Sequence, residues 1–315
     1  MDTLKLVRNV LIASSLVVLI ACGGGGGGSS TAPITGFSIL SFNAPEIATT
    51  ADFSGTGWTE YGSLGAGVDQ FNFPYDLVRD SQGRYYTADS ANHRIVRVND
   101  LTGAGWTTFG TLGAGVNQFN RPRGLHIDSQ DRIYISDASN GRIVRINDMT
   151  GAGWVEFGSF GSGVGQFSDQ RGIHVDPNGQ IYVADWSNDR IVRINDMTGA
   201  GWTELGTTGN GVNQMNAPSG ITRGPNNKLY FTDYGNGRLV MMNDITGAGW
   251  TTYSTGLTNP FKVRFDNLNR IYICDYSLNR IMRIDDMAGT NATTYGTAGT
   301  GVNGLNGPVD IIINY

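Results

Sequence analysis

Five tryptophans, Trp58, Trp106, Trp154, Trp202 and Trp250, stand 48 residues apart along the chain. Four of them end a nearly constant phrase: NDLTGAGW at Asn99–Trp106, NDMTGAGW at Asn147–Trp154 and again at Asn195–Trp202, and NDITGAGW at Asn243–Trp250. A sequence that repeats at intervals of about 20–50 residues stacks copies of one supersecondary unit, because a single copy cannot bury its own apolar face.

Each copy holds four short strand signals bounded by turn residues. In the best-kept one these are RGLHID (Arg123–Asp128), RIYISD (Arg132–Asp137), GRIVRIND (Gly141–Asp148) and GWVEFG (Gly153–Gly158). The link between the first two reads DSQG at Asp80–Gly83 and DPNG at Asp176–Gly179, which suits a tight hairpin closed by a left-handed residue. Glycine, at 46 residues, is about twice its usual share of roughly 7 per cent, as many tight turns require. Four antiparallel strands per copy make one blade of a β-propeller.

First strands begin at Tyr75, Arg123, Arg171, Ser219, Phe261 and Val309, so the expected fold is all-β with six four-stranded blades. The last copy keeps only VDIIIN (Val309–Asn314). Its missing strands are expected from the other end, since Gly36–Trp58 aligns without a gap on Arg132–Trp154. N-terminal strands pairing with the C-terminal strand would close the ring and leave no free edge.

The turn between second and third strands carries D-x-x-N-x-R: YTADSANHRIV (Tyr86–Val96), YISDASNGRIV (Tyr134–Val144) and YVADWSNDRIV (Tyr182–Val192). FTDYGNGRLV (Phe231–Val240) and YICDYSLNRIM (Tyr272–Met282) follow, the latter with Leu278 in the Asn slot. This pattern resembles the NHL repeat, and the resemblance runs over the whole chain after the N-terminal segment. SFNAPE (Ser41–Glu46) departs from it, lacking both Asp and Arg. The GAGW phrase reads as scaffold, the turn into the outer strand; a repeated calcium or phosphate loop is the alternative.

Lys5 and Arg8 precede the apolar run Val10–Ala21, which at twelve residues is too short to span a bilayer and suits a secretory signal. Its end, Leu19-Ile20-Ala21-Cys22, resembles the bacterial lipobox, which implies a lipidated Cys22 and an exported, envelope-anchored protein, with the outer membrane preferred. Residues 23–35 read as a glycine-rich tether and 36–315 as the propeller. Without residues 1–22 the chain has 20 basic and 26 acidic residues, a poor balance for nucleic acid. Cys274 is then the lone thiol, in a slot that Ala88, Ser136, Ala184 and Thr232 fill elsewhere, and reads as a packing residue.

Functional positions are sought where copies disagree. GAGVNQ (Gly113–Gln118) lacks the Lys and Ser/Thr of a phosphate loop, and no H-E-x-x-H or G-x-S-x-G occurs. In the innermost strands Asp76, Arg123, Arg171, Lys262 and Asp310 vary around the axis and are expected at the channel mouth, where they would bind a small polar or anionic ligand or simply pair with one another. His126 and His174, in adjacent blades, are candidate metal ligands, as in the NHL-like amidating lyases, which use histidines around zinc. They fall short of the three ligands of a catalytic zinc site. After the turn aspartate, Trp186, Tyr234 and Tyr276 form an aromatic arc beside a shortened connection, TTYSTGLTNP, suited to a peptide or sugar chain. The leading expectation is a monomeric, non-catalytic scaffold for protein, peptide or glycan, with no cofactor. The alternative is a lactonase- or lyase-like enzyme with zinc or calcium at the axis.

Overall fold

The computed structural model describes residues 32–315; the signal segment, Cys22 and most of the expected tether lie outside the described residues. Blade I consists of Pro74–Arg79, Tyr85–Asp89, Arg94–Val98 and Thr107–Phe109, hydrogen-bonded in that order and antiparallel throughout. The same order recurs from Pro122–Ile127 to Val155–Phe157 (blade II), from Ile173–Val175 to Thr203–Leu205 (III), from Pro218–Arg223 to Thr251–Tyr253 (IV) and from Pro260–Phe265 to Thr293–Tyr295 (V). Blade VI is composite: Pro308–Asn314 pairs with Gly36–Ser41, which continues into Ile47–Thr50 and Thr59–Tyr61. The register runs from Gly36 opposite Asn314 to Leu40 opposite Asp310, so the two chain ends share one sheet.

In blades II to V the second strands are buried along their whole length. IYISD at Ile133–Asp137 and LYFTD at Leu229–Asp233 expose no residue, because a blade packs on a neighbour through each of its faces. The core therefore lies between blades, as where Ile95, Phe109 and Phe119 meet Leu125, Ile133 and Val144. Each such aliphatic side chain contributes roughly 1.5–3 kcal/mol by leaving water.

The D-x-x-N-x-R turn works as a clip. Asp137, fully buried, accepts the backbone N–H of Asn120, the amide of Asn140 and Nε of Arg142 at 2.7–2.8 Å. Arg142 then donates to the carbonyls of Ala114, Gly115 and Gln118, fastening the connection between blades onto the turn. Asp89–Arg94, Asp185–Arg190 and Asp233–Arg238 repeat the pair at 2.7–2.9 Å. The guanidinium of Arg142 lies 5.5 Å from the Trp154 ring centroid, and Arg94, Arg190 and Arg238 sit likewise over Trp106, Trp202 and Trp250. Within the phrase, Asp148 Oδ1 accepts both the N–H and the hydroxyl of Thr150. The tryptophan supports the clip arginine, and the phrase is scaffold.

Two copies depart from the clip. In blade V, Asp275 accepts the N–H groups of Thr258 and Asn259, and Arg280 instead donates to the Gly256 carbonyl, because the connection Ser254–Asn259 is short. In blade VI, which lacks the pair, Phe42 and Asn43 donate their backbone N–H groups to the carbonyls of Gly307 and Asn306. The described chain engages the propeller slightly before Gly36: Thr35 N–H donates to Asn314 O at 2.8 Å, and Ile34 packs against the core around Phe37 and Ile313.

Candidate functional site

The inner strands divide the axis into two mouths and a plug. Adjacent inner strands approach so closely that a Cβ at Gly124 would strike the Arg171 carbonyl oxygen, and one at Gly172 that of Ser219. A Cβ at Gly220 would likewise strike the Phe261 carbonyl oxygen, and the equivalent positions on the remaining three blades hold Asp76, Lys262 and Asp310, all buried. Lys262 Nζ lies 2.7 Å from Asp76 Oδ2, and Arg264 grips Asp310 through Nε at 2.9 Å and Nη2 at 2.6 Å. Backbone N–H groups complete the set: Leu77 donates to Asp310 and Leu125 to Asp76. Burial and the adjacent Asp310 carboxylate push Asp76 up to about 7 despite Lys262, whereas Arg264 and Lys262 hold Asp310 well below the usual carboxylate range.

The five residues expected at one channel mouth thus separate. Asp76, Lys262 and Asp310 satisfy one another with Arg264 inside the channel. Arg123 and Arg171 lie at the end bearing the clip turns, where Asp169 Oδ2 is 2.7 Å from Arg123 and 3.7 Å from Arg171. Between these groups the channel keeps a cavity of only about 10 Å³, room for no more than a water molecule. Cys274, fully buried with its thiol pushed up by burial, packs as expected.

The clip-turn end is an aromatic plate. Trp186 and Tyr234 have ring centroids 4.8 Å apart, Tyr234 and Tyr276 6.4 Å, and Tyr276 and Phe42 5.9 Å. Tyr75 and Phe261, 5.4 Å apart, fill the middle. Arg171 lies flat on Trp186, its guanidinium carbon 3.0 Å from the ring centroid, and Arg123 sits 4.7 Å from that of Tyr75. Burial, and then the charge of Arg123, lower Arg171 to about 10, so it stays cationic at neutral pH. Trp186, Tyr234 and Tyr276 are half-buried, and Phe73 beside them is 47% exposed. Around the plate, connections between blades raise pairs of exposed apolar side chains: Leu64 and Val68, Leu112 and Val116, Phe160 and Val164. The short connection Ser254–Asn259 runs beside Tyr234 and Tyr276: Asn259 Nδ2 donates to the Tyr234 carbonyl, and the Tyr276 N–H donates to that of Asn259.

At the other ends of the strands, the hairpins of blades II, III and IV enclose a cavity of about 640 Å³. It adjoins a second of about 240 Å³, the two sharing His126 and Ile127. His126 and His174 come together here, ring centroids 5.1 Å apart and edge to face. Burial, helped by Arg264 and Lys262, depresses His126 to about 3, and burial, with the positive charge nearby, depresses His174 as well. Both are neutral at physiological pH. His93 is elsewhere, its Nδ1 accepting the N–H of Arg121. Among the described residues no group of three or more His, Cys, Asp or Glu is placed to hold a metal.

Sequence reasoning missed Arg264, Arg223, Tyr75 and Phe261 as site residues. All four belong to the same variable inner strands, so the signal was present; only the face of each side chain was not.

Comparison with known proteins places this geometry. The NHL repeat family matches residues 71–98 and 119–146. No curated protein matches the sequence. Similar solved structures include virginiamycin B lyase from Staphylococcus aureus, at 21% identity over 70% of this chain and 69% of that chain, with a TM-score of 0.53. A chain of the nidogen/laminin complex is 20% identical over 82% of this chain and 92% of its own, with a TM-score of 0.65. A protein of unknown function from Bacteroides caccae reaches a TM-score of 0.64 at 12% identity, over 89% of this chain and 98% of that chain. The chain is a six-bladed all-β propeller carrying NHL repeats.

Proposed function

We propose that this protein is a non-catalytic binding propeller of the bacterial cell envelope, anchored through a lipidated Cys22, whose aromatic plate docks a protein partner. The observation that carries this reading is the plate itself: Trp186, Tyr234 and Tyr276 lie half-buried in one contiguous surface, with Arg171 stacked on Trp186. Tryptophan, tyrosine and arginine are the residues enriched among binding hot spots. The closed channel beneath leaves no room for a small ligand, and the exposed Leu64, Leu112 and Phe160 extend the apolar surface outward, as a macromolecular partner requires. The propeller in the nidogen/laminin complex is a precedent for protein binding on this fold. Ala32 is held by Asn267 in a first hairpin, at the end opposite the plate.

The test is a peptide and glycan array probed with wild type and with a Trp186→Ala, Tyr276→Ala double variant. Peptide ligands lost by the variant support the reading; ligands retained by it, or glycans alone, overturn the protein-partner assignment. The second reading, a metal-dependent lyase- or lactonase-like enzyme, draws on the paired His126 and His174. It requires zinc or calcium near one per chain by elemental analysis, lost on changing both histidines.

A further inference from the structure

The large hairpin-face cavity stands apart from the aromatic plate, at the opposite ends of the same strands and beyond the ionic plug. It sits where the repeat breaks. In blades I, II and V the hairpin aspartate binds an arginine of its own hairpin: Asp80 with Arg84, Asp128 with Arg132 and Asp266 with Arg270, at 2.5–2.6 Å. In blade III that arginine is Gln180, and in blade IV the aspartate is Gly224. Both altered hairpins line the cavity.

Arg223, from the inner strand of blade IV, takes the place of the missing arginine beside Asp176. It donates to Asn227 O and to the Tyr182 hydroxyl, each at 2.6 Å, and stands 3.6 Å from Asp176. Its Nε is shut off from solvent without a hydrogen-bond partner, and so is Nε2 of His174. The two acids that face the cavity are already committed. Asp128 accepts the N–H groups of Gln130 and Arg132 besides the Arg132 side chain, and Asp176 accepts those of Asn178 and Gln180. Facing the cavity are the Arg223 guanidinium, which keeps a further Nη2–H beyond its bond to Tyr182, and the imidazoles of His126 and His174, with the neutral side chains of Gln130, Asn178 and Asn227 around them.

The geometry points to a binding site for a small organic carboxylate, its acid group on Arg223, His126 and His174 and its neutral polar body against Gln130, Asn178 and Asn227. The volume lies within the range of small-molecule sites, about 300–1,000 Å³. A monoanion is favoured over a phosphate dianion because Asp128 and Asp176 stand beside the floor and oppose a second negative charge.

The full-length protein is titrated by calorimetry with lactate, gluconate and galacturonate, with galactose as a body lacking the acid, and with inorganic phosphate. At least one carboxylate is expected to bind about tenfold or more tightly than galactose or phosphate, with Arg223→Gln weakening it about tenfold. Asn178→Trp, at an exposed hairpin position away from the core, fills the mouth and is expected to abolish binding while leaving the melting temperature unchanged. Absence of binding by all three carboxylates, tighter binding of phosphate, or binding unaffected by Asn178→Trp overturns the assignment. Loss of binding in the Trp186→Ala, Tyr276→Ala variant also overturns it, by placing the ligand on the plate. The proposal is independent of the protein-binding reading, and either can fail alone.

Discussion

Lys262 Nζ meets Asp76 Oδ2 at 2.7 Å on the axis of the propeller, across 186 residues of sequence. Removing one member of a buried ion pair strands the other without water. Lys262→Ala is expected to destabilise the fold by about 3–5 kcal/mol. The Lys262→Met, Asp76→Leu double variant should recover much of that loss. Chemical denaturation of both variants, with the two single variants as controls, measures the coupling; a double variant no better than the worse single would show that the pair is replaceable only as an ion pair.

Asp76 also gives the plug a pH dependence. Its folded-state pKa, about 7, lies above the unfolded value of about 3.9. A raised pKa contributes stability that is fully present below the unfolded value and lost as pH rises through the folded one. The stability of Asp76→Asn relative to wild type should therefore increase between pH 4 and pH 8. Asp310 behaves oppositely: its depressed pKa contributes stability above about pH 4 that is lost on acidification, so Asp310→Asn should be most harmful at neutral pH. Melting curves across that range check both trends.

The clip arginines should not be equivalent. Arg142 is buried on Asp137 and ties down three carbonyls, so Arg142→Ala is expected to cost about 3–5 kcal/mol. Arg280 is not paired with Asp275, and its described hydrogen bond is to the Gly256 carbonyl, so Arg280→Ala should cost about 1 kcal/mol. Equal losses in denaturation midpoints would contradict the clip mechanism.

Ring closure can be tested by truncation. A chain ending at Gly307 lacks the partner of Gly36–Ser41 and exposes an unpaired edge in blade VI. It is expected to run as aggregates rather than monomer in size-exclusion chromatography. A soluble monomer of native melting temperature would mean that blade VI is dispensable.

Blades and closure are legible in the sequence because a blade's periodicity is local, and because Gly36–Trp58 keeps the spacing of a full copy although it lies at the wrong end of the chain. The clip is legible for the same reason, since Asp137, Asn140 and Arg142 fall within one turn. The site is less so. Asp76 and Lys262 vary at one inner-strand position, as a ligand site would, yet they satisfy each other; which partner a charged residue finds across the ring depends on long-range geometry that local spacing does not encode. Trp186, Tyr234 and Tyr276 were readable as one arc because each follows a turn aspartate, but Tyr75 and Phe261, which complete the plate, come from inner strands whose side-chain direction the sequence leaves open.

The pairing of Gly36 with Asn314 also sets a timetable. Gly36–Ser41 belongs to the first strand of the propeller to leave the ribosome, and its inner neighbour is the last. At about 5–20 residues per second, roughly 15–60 s separate the synthesis of the two. Blades I to V have what they need to assemble in that interval, while Gly36–Ser41 waits with one of its two neighbouring strands not yet made. Closure of the ring thereby waits for Pro308–Asn314, and a nascent chain stalled before that strand would carry five blades and an unpaired edge.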